Sequence, residues 1–188
     1  TLPSVRHWCE KEDCRHIHAR LDDGTELHCV YVPAGGDIPD PVENPKFAHK
    51  LQFLDELAGW WKTHPRARQR ILVGDLNVAP LEHDVWSHKQ MLGVVSHTPI
   101  EVEKLTALQK AFKGEDGVRH FTPHEEKLYS WWSYRAADWR ASDRGRRLDH
   151  IWVSPEMMPA LKRAEIVKDA RGWEPKPSDH VPVILDIG

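Results

Sequence analysis

Apolar and polar positions along the chain follow two periods. In "CRHIHARLDDGTELHCVYV", Ile17, Ala19 and Leu21 alternate with His and Arg, and Asp23-Gly24 supplies a turn, which predicts an antiparallel hairpin. Its second arm ends in "YVPAGGD", where Pro33, Gly35 and Gly36 break the alternation, and a proline-rich loop, "DIPDPVENP", follows. The period then lengthens. Phe47, Leu51, Leu54, Ala58 and Trp61 recur at spacings of four and three, predicting a helix from about Lys46 to Lys62 with one apolar face. "THPRAR" ends it, and "RILVGD" reads as a short buried strand. Residues 81–95 are mixed. "PIEVEKLTALQKAFKG" predicts a second helix, acidic in its first turn, with Gly114 beyond its end. "LYSWWSYR" reads as a strand of alternating aromatics, "RRLDHIWVS" and "HVPVILDI" as strands with polar N-terminal ends, and "EIVKDAR" as a further strand.

Several hairpin-paired strands with two widely spaced helices predict packed sheets flanked by helices, in an α/β (α+β type) arrangement, rather than strict βαβ alternation. The 188 residues fit one domain. A chain of that length buries about 70% of the surface its unfolded form exposes. No run approaches the roughly 18 apolar residues of a membrane span. The three cysteines, Cys9, Cys14 and Cys29, lack paired CxxC spacing and read as reduced thiols of a cytosolic protein. The net charge of −3 argues against coating nucleic acid by bulk charge, though not against a local basic patch. Such a patch is present. Arg135, Arg140, Arg144, Arg146 and Arg147 crowd one segment against only Asp138 and Asp143, beside Trp131, Trp132 and Trp139. Arginines interleaved with tryptophans suit phosphates and unstacked bases, although a solvated loop has the same composition. Trp60, Trp61 and Trp152 read as core, and Lys62, Arg66, Arg68 and Arg70 as a helix end and linker.

Four apolar strands carry chemically capable residues at their ends: Tyr31; Asp75 and Asn77 around the "VGDLN" turn; Asp149 and His150; and Asp179 and His180. Each alone also fits a turn or a core position. Together they outline a site at a sheet rim. Gly74 leaves room for a phosphate or metal, and Asp75 and Asn77 share a face if the chain stays extended. Three carboxylates and a carboxamide suit Mg²⁺ or Mn²⁺, not zinc. A metal so held, with a carboxylate to activate water and a histidine paired to a carboxylate, is a toolkit for hydrolysing phosphate esters.

"YVPAGG", "VGDLNVAP", "YSWWSYR", "RGRRLDHIWVS" and "PSDHVPV" resemble, in order and spacing, the exodeoxyribonuclease III family within the endonuclease/exonuclease/phosphatase fold. The resemblance covers nearly the whole chain, which would correspond to the C-terminal two thirds of such a domain. It implies a four-layered sandwich of two mainly antiparallel sheets flanked by helices, acting as a monomer in the bacterial cytoplasm. It implies Mg²⁺-dependent cleavage of double-stranded DNA at abasic sites and removal of nucleotides or blocking groups at 3′ ends, with Mn²⁺ able to substitute. Carried over, Tyr31 contacts the phosphate and Asp75 activates water. Asn77 steadies the transition state, and Asp149 orients the catalytic His180. Asp75, Asn77, Asp179 and His180 surround the metal, while Trp131, Arg135 and Asp179 lie against the DNA.

The resemblance departs in front of Tyr31. An early asparagine and a metal-ligating glutamate have no match, since Glu10, Glu12 and Glu26 lie too close to the hairpin. These 188 residues are therefore expected to lack the first strands, to expose an apolar sheet face, and to be inactive or nearly so alone. Two other readings keep the fold: a phosphatase or phospholipase acting on small phosphoesters, and a non-catalytic DNA-binding remnant.

Overall fold

The structure is a computed structural model and describes residues 4–65 and 67–188, so Arg66 of the predicted linker lies outside the described residues. The chain begins with an antiparallel meander of β1 (Ser4–Trp8), β2 (Lys11–Arg20) and β3 (Glu26–Val30). The β2–β3 turn is closed by the Asp23 carboxylate, which accepts the Thr25 N–H at 2.9 Å. Helix α1 (Pro45–Thr63) follows, and its predicted apolar face is buried throughout. Asn44 caps it and also donates to the carbonyls of Gly35 and Ile38, so the cap pins the Pro/Gly loop as well. Strand β4 (Arg70–Asp75) then lies parallel to β3.

Next come α2 (His88–Met91), α3 (Pro99–Phe112) and β5 (Glu115–Asp116). The remaining elements are β6 (Trp131–Trp132), α4 (Trp139–Ser142), β7 (Gly145–Arg146), β8 (Asp149–Val153), β9 (Leu161–Ile166) and β10 (Val183–Ile187). The main sheet runs β1-β2-β3-β4-β8-β5. One face, with Leu72 and Trp152, packs on α1 and α3 through Phe53, Leu57, Trp61, Leu108 and Phe112. On the other face Ile71, Ile151 and Val153 meet Leu161 and Leu185 of the β9–β10 pair. That pair and β6–β7 form one second layer, because Trp132 N–H donates to Asp179 O and Val181 N–H to Ser130 O, each at 2.9 Å. Outside it, Trp139 of α4 and Ala170 of a 3₁₀ turn pack on Trp132 and Val181. The result is a mixed α/β sandwich with sheets flanked by helices.

Three local expectations change. The aromatic strand shrinks to Trp131–Trp132, because Trp132 turns inward while the chain on either side loops away. The strand placed at "EIVKDAR" lies earlier, at Leu161–Ile166, and Lys168–Gly172 turns as 3₁₀ helix. In β2 and β3 the histidine face is the buried one: His16 and His28 are fully enclosed, whereas Ile17 is 42% exposed. Imidazoles fit there because the Trp60 and Trp61 rings of α1 meet them edge-on, with His28 and Trp61 centroids 4.8 Å apart.

Candidate active site

Strand pairing assembles the site. Asp75, the last residue of β4, lies directly opposite Asp149, the first of β8. Tyr31 follows β3, and the Val32 N–H donates to Asp75 O at 3.0 Å. His180 bridges to Trp131 of β6, bringing the second layer to the same rim. Gly74 serves this geometry differently from the expectation. Its φ is +138°, and a Cβ there would stand 2.0 Å from Val30 O. The glycine is required by the close approach of β3, not by room for a ligand.

After Asp75 the chain does not stay extended. Asn77 adopts a left-handed φ of 52° and folds back on Asp75. Its backbone N–H and Nδ2 donate to the two Asp75 carboxylate oxygens at 2.9 Å each, and Nδ2 also reaches Val32 O. Three buried side chains hold this turn from beneath: Lys50 Nζ donates to Asn77 O at 2.7 Å, His150 Nε2 to Val78 O at 2.9 Å, and His97 Nδ1 to Ala79 O at 2.6 Å. His150 is therefore a core residue. Lys50 also pairs with buried Glu101, whose carboxylate accepts the N–H groups of Ser96 and Thr98.

His180 Nδ1 donates to Asp149 Oδ2 at 2.8 Å, and its Nε2 faces Asp75 Oδ2 at 3.8 Å. Ser130 fixes the acceptor, with its hydroxyl donating to the same Asp149 oxygen at 2.6 Å while receiving the Leu148 and Asp149 N–H groups. Burial disfavours a charged imidazole, but the Asp149 hydrogen bond and the charges of Asp149, Asp75 and Asp179 outweigh it and raise the His180 pKa. Burial, then the nearby Asp149 charge, pushes Asp75 up to about 6.

Ligand atoms of Asp75, Asp149 and His180 lie within 4.8 Å of one another. Two facing carboxylates fit a divalent cation. Asp149, rather than Asp179, shares this cluster, because Asp179 Oδ2 accepts from Trp131 Nε1 at 3.0 Å.

A cleft of about 840 Å³ opens over the cluster, and Tyr31, Asp75, Asn77, Trp131, Arg135 and His180 all line it. Tyr31 is half exposed, with the Arg15 guanidinium 5.0 Å from its ring centre. The arginine segment divides. Arg135, Arg144 and Arg146 line the cleft, Arg146 lying 5.0 Å over the Trp131 ring and Arg144 4.6 Å over Trp86. Arg140 pairs with Asp169. Arg147 is fully buried between Asp84 and Asp116 and is not a phosphate ligand. Ser130, Lys50 and Trp86 escaped the sequence reading. Only Lys50 carried a signal, since it falls between Phe47 and Leu54 on the apolar face of α1.

The sequence model of the Endonuclease/Exonuclease/phosphatase family matches residues 3–180. The chain belongs to this family. Among family members, the exodeoxyribonuclease of Bacillus subtilis (strain 168) is 35% identical over 142 residues, 74% of this chain and 52% of that protein. Exodeoxyribonuclease III of Haemophilus influenzae is 31% identical over 160 residues, 81% of this chain and 58% of that one. The chain thus spans about half the length of the curated relatives it matches. A solved 3′-5′ exonuclease from Neisseria meningitidis superposes with a TM-score of 0.87 at 28% identity, covering 98% of this chain and 70% of that chain. An AP endonuclease from Archaeoglobus fulgidus gives 0.85 at 26% identity, covering 99% and 71%. The endonuclease/exonuclease/phosphatase fold accounts for both sheets and for the rim on which the Asp75–Asp149–His180 group sits.

Proposed function

We propose that this chain carries the reacting groups of a Mg²⁺-dependent DNA phosphodiesterase that incises at abasic sites and trims 3′ ends. The observation that carries it is the Asp149-held His180 facing Asp75 beneath a cleft lined by tryptophan and arginine. Asp75 accepts the proton of the attacking water, a role its place at the rim opposite His180 allows. His180, held in orientation by Asp149, donates from Nε2 to a phosphate oxygen, and Tyr31 offers its hydroxyl to another. Donation from Nε2 excludes ligation by the same atom, so Asp75, Asp149 and the Asn77 carboxamide oxygen are the better metal ligands. A bound Mg²⁺ supplies charge neutralisation at the phosphoryl group.

Arg135, Arg144 and Arg146 hold flanking phosphates, and Trp131, backed by Asp179, presses on the unstacked strand. A row of cations with an indole surface suits a polymer, and the relatives named as exodeoxyribonucleases support DNA as that polymer. The intact protein is read as a monomer working in the bacterial cytoplasm, with Mn²⁺ able to replace Mg²⁺.

The test is incision of an end-labelled duplex bearing one abasic site, using the complete gene product. Mg²⁺-dependent cleavage that H180N abolishes is expected. No cleavage with either Mg²⁺ or Mn²⁺ would overturn the reading.

A further inference from the structure

At the far end of β3, about 16 Å from the rim given roughly 3.3 Å per strand residue, lies a second group that the phosphodiesterase reading does not use. Glu26 and His28 project from β3 onto its helix-facing side, and His64 caps the C-terminal end of α1. Ligand atoms of the three lie within 4.8 Å of one another. Glu26 Oε2 stands 3.5 Å from His64 Nε2 and 3.8 Å from His28 Nε2, too far for good hydrogen bonds. All three atoms are buried without a hydrogen-bond partner, and the His28 side chain is wholly enclosed. Buried polar atoms are nearly always satisfied, so three orphans aimed at one point call for a common partner.

We propose that Glu26, His28 and His64 form a zinc site that ties the end of α1 to the main sheet.

The surroundings favour this assignment. Arg20 Nη2 holds Glu26 Oε1 at 2.5 Å, which fixes the carboxylate with Oε2 turned toward both imidazoles. His16 Nε2 and His28 Nδ1 are 2.9 Å apart. If His28 donates from Nδ1, its Nε2 carries the lone pair that faces Glu26, the arrangement that orients a metal-bound histidine. Donors in a tetrahedral zinc site, with bonds of about 2.0–2.1 Å, lie about 3.3–3.4 Å apart, and the Glu26–histidine distances of 3.5 and 3.8 Å stand close to that value. His64 is the most exposed member, so a water can take the fourth position from its side. The set has one carboxylate and two nitrogens, and the Arg6 and Arg70 charges also act on His28. Two imidazole donors suit zinc, whereas hard cations such as Mg²⁺ and Ca²⁺ take oxygen ligands.

The test takes the whole chain, stripped with a chelator, and titrates it with Zn²⁺ against a chromophoric competitor. Melting temperature and the visible spectrum of the Co²⁺ form are read in parallel. One tight Zn²⁺ per chain, a tetrahedral Co²⁺ spectrum and a raised melting temperature are expected. H64Q, at the edge of the group, should fold as the parent does in the absence of metal yet bind at least about a hundredfold more weakly. D149N, at the other cluster, should leave this site unchanged. The proposal fails if no Zn²⁺ binds more tightly than to H64Q, or if D149N removes the tight site while H64Q keeps it.

Discussion

At Gly74 one hydrogen atom decides whether two strands can pair. A Cβ would sit 2.0 Å from Val30 O on a backbone with φ of +138°, so replacement must push β3 away from β4 and strain the chain as well. G74A is expected to cost about 3 kcal/mol or more, visible as a lowered urea midpoint, and to misplace the Asp75 carboxylate that follows. In the proposed reaction Asp149 orients His180. Its Oδ2 receives both His180 Nδ1 and the Ser130 hydroxyl, so Asp149→Asn leaves volume intact but presents an acceptor with no charge and a possible rotated amide. In the complete protein, D149N should lower kcat by about 10²–10⁴-fold with KM for DNA little changed, the signature of lost general acid–base chemistry. An equal loss through KM alone would place Asp149 in substrate binding instead.

Between elements, Asp84 is a buried polar tie that joins the 82–84 turn to the chain just after β5 and just before β8. Arg147 donates to both of its oxygens at 2.9 Å, and Arg119 Nη2 to Oδ1 at 2.6 Å. Burial opposes the charged carboxylate, but Arg147 and then Arg119 outweigh it and hold the Asp84 pKa below its ordinary 3.8. The contribution is therefore fully present above pH 3.8 and is lost as pH falls through the lower folded value. D84N should destabilise the fold by about 3–5 kcal/mol at pH 7, because it leaves the buried Arg119 guanidinium without its paired carboxylate and Arg147 with Asp116 alone. The gap between the two proteins in thermal melts should narrow under acid. This network also marks what sequence can and cannot disclose. The apolar face of α1 was legible because Phe47, Leu51, Leu54, Ala58 and Trp61 repeat at helical spacing, and Tyr31, Asp75 and His180 were legible because the first two close apolar strands and the third leads into one at the same rim. Arg147 was misread as cleft charge, since no local pattern separates a buried arginine from its exposed neighbours; its partners Asp84 and Asp116, 63 and 31 residues away, do. β1 was missed for a related reason. Its inward side includes Arg6 and Trp8, and its apolar Val5 faces outward, so period-two hydrophobicity is absent.

Across the whole molecule the main sheet is covered unevenly. Val5, Ile17 and Cys29 stand side by side in register on the face away from the helices, continuing the row to Val73 and Ile151. At the β8 end, Leu185 and Leu161 cover that row. At the β1 end nothing among the described residues does, and Val5 and Ile17 are 47% and 42% exposed. β1 is also an edge strand, with its outer hydrogen-bonding groups unpaired in the sheet. An apolar face beside an open edge favours association between chains. The 188-residue chain should therefore gain apparent mass with concentration in sedimentation equilibrium and bind a hydrophobic dye. Ile17→Lys places a charge in the middle of the open row, at a position with room for it. That variant should sediment as a single 21.7 kDa species and bind less dye, while its melting temperature stays close to the parent's because Ile17 buries little in the chain alone. Unchanged association by I17K would locate the contact elsewhere and would separate the exposed row from the self-association it is expected to drive.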